Sequence, residues 1–238
     1  MITGMKLLLT SNGLTNPLIA DALEDLVGKP RKQIKIAFIP NAAFAADDDL
    51  EPLSKDWLAD NIYRISDFCG FIDIVSLSDL TKEQVLERLE YADVIFVGGG
   101  DAFYLSYCME KTGLFEELPK LLETRVYAGI SAGNMVVTPS LRNARRAFKN
   151  LDKFHDKKYE EIGPKGKSTG RTLRLVDFEV APHLNITSAR TINSGYYEII
   201  ASDIDVPLYV LDDDSAIKVV DGKVEAVSEG EWKLYDKH

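Results

Sequence analysis

The pentapeptide Gly129-Ile130-Ser131-Ala132-Gly133 follows a short apolar run, Val126-Tyr127-Ala128, which puts a serine where a buried strand should turn sharply into a helix. This is the G-x-S-x-G spacing of a nucleophile elbow. Glycines two residues to either side leave room for a strained turn that lifts the hydroxyl clear of the backbone. The start of the following helix offers free N–H groups and a positive dipole end to a developing oxyanion. The chemistry implied is acyl transfer through serine. The competing structural reading is an ordinary strand end and helix start, where small residues are equally at home.

A serine nucleophile needs a base, and the chain has 3 histidines. His155 falls in a charged excursion, and His238 is the last residue, where a frayed end cannot hold catalytic geometry. His183, at the end of an expected strand, is the candidate base. The base in turn needs an acceptor that fixes its tautomer and stabilises the imidazolium. Asp212, Asp213 and Asp214 follow another expected strand and all stay open on spacing alone. Asp177 and Glu179 share a strand face with His183 but lie far along it.

These residues need a scaffold that brings them to one edge. In the first half, Lys6 to Thr10, Ile34 to Ile39, Phe71 to Ser76, Asp93 to Val97 and Val126 to Ile130 read as strands, most of them nearly continuous in apolar residues, as in parallel strands covered on both faces. Between them, Pro17 to Leu26, Asp56 to Phe68, Lys82 to Leu89 and Leu114 to Leu122 carry helical periodicity. Thr81 with Gln84 has capping-box spacing. The pattern predicts a doubly wound, mostly parallel α/β sheet whose ligands bind beyond the carboxyl ends of its strands. Thr10-Ser11-Asn12-Gly13, Pro40-Asn41, Gly98-Gly99-Gly100-Asp101 and the serine elbow all fall at such ends.

The second half is less regular. Residues 140–174 read as a basic surface excursion within a single domain spanning 1–238. Its Gly166-Lys167-Ser168 is no phosphate-binding loop, because Glu161 stands where the first glycine belongs and no strand precedes it. A weaker reading lets the excursion touch an acidic substrate. Leu173 to Val180 is an expected strand, Ser188 to Ala201 a helix and Pro207 to Leu211 a strand. Ala216 to Val220, Val224 to Val227 and Trp232 to Tyr235 form an expected antiparallel meander.

With 238 residues, 45% hydrophobic content and a net charge of -10, the chain can bury a large core and is a poor match for general nucleic-acid binding. Cys69 and Cys108 are too few and too isolated for a disulfide framework or zinc site. The opening residues lack an export signal, and the apolar runs fall well short of the roughly 20 residues of a membrane span. A soluble cytoplasmic protein without metal or organic cofactor is the expectation, with its oligomeric state, monomer or homodimer, left open.

Taken together, these segments resemble the S51 serine peptidases, which include aspartyl dipeptidase (peptidase E) and cyanophycinase. The resemblance runs over nearly the whole chain. It is carried by Leu-Leu-Leu-Thr-Ser-Asn-Gly at 7–13, Ile-Pro-Asn-Ala at 39–42, Val97-Gly98-Gly99-Gly100-Asp101-Ala102-Phe103, the elbow through Asn134, Pro182-His183, and Leu211 to Ile217. It implies a fold related to class I glutamine amidotransferase domains, with Ser131 as nucleophile and His183 as base. Counted back from Ile217, the family's acid falls at Asp213. The implied oxyanion donors are the N–H groups of Ala132 and of a glycine in the 98–100 turn, foremost Gly100. A short peptide is the implied substrate.

Two departures bear on specificity. In aspartyl dipeptidase an arginine soon after the histidine motif pairs with the substrate's aspartate; Arg190 does not stand at that place, so no aspartyl preference carries over. Arg145-Arg146 replaces an acidic residue after the elbow. A degenerate binding or regulatory module, and an esterase or amidase using the same triad, are the competing functional classes.

Overall fold

Leu7, Leu8 and Leu9 are all fully buried, yet they enter different cores: Leu7 and Leu9 join one cluster and Leu8 the other. Successive strand side chains point to opposite faces, so a strand apolar at every position must be covered on both sides. The computed structural model describes residues 4–45, 55–146, 170–184 and 195–236. In its first half, β1 (Lys6–Thr10), α1 (Pro17–Val27), β2 (Lys35–Ile39), α2 (Asn41–Phe44), α3 (Asp56–Phe68), β3 (Phe71–Ile74), α4 (Lys82–Tyr91), β4 (Val94–Val97), α5 (Ala102–Lys111), α6 (Leu114–Leu121) and β5 (Val126–Ile130) alternate. They continue with α7 (Ala132–Met135), α8 (Arg142–Arg146), β6 (Glu179–Ala181), α9 (Tyr196–Ser202), β7 (Leu208–Leu211), β8 (Ser215–Val220), β9 (Lys223–Ser228) and β10 (Trp232–Tyr235).

The main sheet has 7 strands in the order β3-β2-β4-β5-β1-β8-β9. The five from β3 to β1 are parallel, and β8 and β9 close one edge antiparallel. Apolar residues of α1 and α3 cover one face, and those of α4, α5 and α6 cover the other. This is the doubly wound sheet expected from the alternation. Thr81 and Gln84 form the reciprocal capping box that starts α4.

A second sheet, β10-β7-β6, has its own apolar cluster with Leu184, Ile200 and Ile204. Two expectations change here. The terminal run Trp232 to Tyr235 does not extend the hairpin of β8 and β9 as a third meander strand; it crosses to pair antiparallel with β7, Trp232 opposite Leu211. Alternation fixes which face a residue takes but not which strand becomes its neighbour. The expected strand from Leu173 to Val180 shrinks to β6, because the segment before it bonds to the turn after α7, through Leu173 N–H to the Val136 carbonyl (2.8 Å) and Leu175 N–H to the Val137 carbonyl (2.8 Å). The expected helix from Ser188 is described only as α9, and most of the 140–174 excursion, including His155, lies outside the described residues, as do Arg190 and His238. Among the described residues no helix is long and apolar enough to cross a membrane.

Candidate active site

The carboxyl ends of β1 and β5 are adjacent in the sheet, and the elbow is built between them. Ser131 N–H donates to the Thr10 carbonyl (3.2 Å), which also accepts from Asn134 Nδ2 (2.7 Å). Thr10 Oγ1 donates to the Gly129 carbonyl (2.8 Å), and the fully buried Tyr127 hydroxyl donates to the Gly133 carbonyl (2.5 Å). The flanking glycines are sterically required. A Cβ at Gly129 would stand 2.5 Å from Asn134 Oδ1, and one at Gly133 would stand 2.3 Å from the Val97 carbonyl oxygen. Held this way, Ser131 adopts φ 49° and ψ -102°, a left-handed conformation that an L-residue keeps only when its surroundings enforce it.

His183 stands two residues beyond β6, and Asp213 two residues beyond β7, in the short link that joins the second sheet to the first. The parallel pairing of β6 with β7 carries both side chains to the same end. His183 Nε2 lies 3.3 Å from Ser131 Oγ, and His183 Nδ1 lies 2.6 Å from Asp213 Oδ1. The first distance has the looser length common in resting sites; the second is that of a strong, charge-assisted contact. The three residues singled out at positions 131, 183 and 213 thus form one hydrogen-bonded chain.

The three neighbouring aspartates separate cleanly. Asp212 is buried and turned inward, its Oδ1 accepting from Ser215 Oγ (2.5 Å) and Asp214 N–H (3.1 Å) and its Oδ2 from Glu231 N–H (2.5 Å). Asp214 is exposed. Asp213 alone faces the imidazole. Of the upstream acids, Asp177 is exposed and the buried Glu179 accepts a hydrogen bond from the Ser140 hydroxyl; His183 has its ring contacts elsewhere.

The loop after β1 clamps the acid-bearing link, with Thr15 Oγ1 donating to the Asp213 carbonyl (2.9 Å) and Asn16 Nδ2 to the Asp214 carbonyl (2.9 Å). Burial pushes the Asp213 carboxyl up, but the hydrogen bond and charge of His183, the Ser11 hydroxyl and the Arg64 charge outweigh it and hold the group below the ordinary carboxylate value. A depressed folded-state value means that Asp213 stabilises the fold above the unfolded carboxyl's range, about pH 4, and that this contribution fades as pH falls through the lower folded value. Asp213→Asn should therefore flatten the acid side of the stability profile below about pH 4. Chemical denaturation between pH 2 and 6 measures this; parallel profiles for parent and variant would count against it.

Ala132 opens α7, where its N–H has no intrahelical partner. Gly100 has φ 129°, and a Cβ there would meet the Ala42 carbonyl oxygen at 2.3 Å, so only glycine fits against α2. The neighbouring Gly99 packs against the elbow: a Cβ there would stand 3.4 Å from Ser131 Cβ. The triple-glycine turn and the elbow are therefore in contact. Among the described residues no group of three or more His, Cys, Asp or Glu side chains could hold a metal ion. Cys69 and Cys108 are buried, and burial pushes both thiols up.

The model for peptidase family S51 matches residues 7–227. The chain belongs to peptidase family S51. Among curated relatives, peptidase E of Streptomyces coelicolor is 30% identical over 182 residues, 75% of this chain and 64% of the relative, so the match spans less than two thirds of that protein's length. An uncharacterized peptidase of Pasteurella multocida is 26% identical over 63% of this chain and 67% of its own. A solved Listeria monocytogenes EGD-e protein, provisionally assigned as a peptidase E, superposes with a TM-score of 0.70 at 19% identity, covering 96% of this chain and 100% of its own. At that identity the likeness concerns the fold alone.

Two helices beside this cluster, α2 and α5, were not among the elements expected from the sequence. Asp101 caps α5 by accepting from Tyr104 N–H (2.8 Å), and an aspartate followed by helically spaced Leu105, Cys108 and Met109 was the available signal.

Proposed function

We propose that this S51 chain hydrolyses a peptide bond in a short peptide, with Ser131 as nucleophile. His183 Nε2 takes the hydroxyl proton as Oγ attacks the scissile carbonyl, while Asp213 holds Nδ1–H and stabilises the imidazolium. The backbone N–H groups of Ala132 and Gly100 receive the oxyanion, each such donor being worth about 2.7–4 kcal/mol of barrier. His183 then protonates the leaving amine, and the acyl-enzyme is hydrolysed by a water that gives its proton to the same nitrogen. The observation that carries this reading is the unbroken chain from Ser131 Oγ through both ring nitrogens to Asp213, on a serine held in a strained turn.

The test is hydrolysis by the purified protein across a panel of dipeptides, β-linked Asp-Arg peptides and simple esters, beside Ser131→Ala. Amine release from one or more dipeptides by the parent, absent in the variant, is the expected result. Cleavage confined to esters, or equal turnover by the variant, would overturn it.

A further inference from the structure

Ser11 is fully buried at the end of β1, where its side chain meets two other segments of the site. Its Oγ accepts from the His183 backbone N–H (2.9 Å) and donates to Asp213 Oδ1 (3.1 Å), with the Leu211 carbonyl (3.4 Å) as a longer alternative acceptor. One hydroxyl has one proton and two lone pairs, so it can serve the base and the acid at once. His183 needs such support: its φ of 65° is left-handed, a conformation costly for any residue with a Cβ. The next amide is pinned as well, Leu184 N–H to the Leu211 carbonyl at 2.9 Å.

We infer that Ser11 is a positioning residue of the proposed triad: it ties the left-handed backbone of His183 to the Asp213 carboxylate and so fixes the imidazole between that carboxylate and Ser131. The inference rests on the serine-peptidase reading and adds to it a residue that never touches the reacting atoms. Around Asp213 the charged or titratable groups among the described residues are His183, Arg64 of α3, and Asp212 and Asp214 on its own link. Ser11 is the neutral donor among them, favouring the ionised carboxylate.

The test uses the second-order rate of Ser131 labelling by a fluorophosphonate, followed from pH 3 to 9, in the parent, Ser11→Ala, Ser11→Cys and Ser131→Ala. Ser11→Ala is expected to slow labelling about tenfold to a hundredfold, the range for losing a hydrogen bond to a charged group. Its acid limb should also move to higher pH, because the carboxylate loses a donor to its ionised form. Ser11→Cys fills the same space with a poor donor and acceptor, so it should follow alanine. Labelling of Ser11→Ala at the parent rate and pH dependence would overturn the inference, as would a cysteine variant that matches the parent, which would mean that Ser11 only packs. If alanine does not fold, the cysteine variant decides alone. Persistent labelling of Ser131→Ala would instead sink the underlying triad, a separate failure.

Discussion

Ser131→Ala is expected to lower peptide hydrolysis on the order of 10⁴- to 10⁶-fold while leaving the fold intact, because the nucleophile and base act as a unit and neither substitutes for the other. Ser131→Gly should be equally inactive, yet more stable than the parent. The reason is the turn itself: at φ 49° and ψ -102° a side chain costs about 1–3 kcal/mol, whereas glycine visits that region freely. Against this stands glycine's greater loss of chain entropy, roughly 0.5–1 kcal/mol. A net gain of about 1 kcal/mol is therefore expected for glycine. Equilibrium unfolding of parent, alanine and glycine variants measures it. A glycine variant no more stable than the alanine one would show that the elbow stores no strain.

The second large effect distinguishes three consecutive carboxylates. Asp213→Asn should cut turnover by about 10³- to 10⁴-fold, since an amide facing Nδ1 favours the wrong tautomer and cannot stabilise the imidazolium. Asp214→Asn should change little, because its side chain is exposed. Asp212→Asn should act on stability instead, by about 1–3 kcal/mol, because the new amide group must face either the Asp214 N–H or the Glu231 N–H with a donor where an acceptor is required. Steady-state rates and unfolding midpoints on the same preparations separate the two roles. Equal losses of turnover across all three would refute the assignment.

Much of the scaffold was legible because strong local signals agreed with the fold. Lys6–Thr10, Asp56–Phe68 and Val126–Ile130 keep in the structure the bounds their apolar patterns suggest, and Thr81 caps where its spacing with Gln84 indicates. The failures lie where long-range pairing decides. Nothing in Trp232 to Tyr235 reveals that β7 rather than β9 is its neighbour. The site divides in the same way. The elbow and the scarcity of histidines pointed to Ser131 and His183, but spacing left Asp212, Asp213 and Asp214 equivalent, and only the resemblance to S51 peptidases favoured Asp213. Their carboxylates differ because Asp212 is turned into contacts with Ser215 and Glu231 while Asp213 meets the ring. Ser11 carried no sequence signal beyond its place at a strand end, since its contacts exist only when residues 11, 183 and 213 meet.

The most direct measurement of the central claim is the site and rate of fluorophosphonate attack, read by mass spectrometry of the intact and digested protein. A single adduct on Ser131, formed at least a hundredfold more slowly in His183→Ala, is the expected result, since the imidazole must take the hydroxyl proton. No adduct on Ser131, or equal rates with and without the His183 ring, would contradict it.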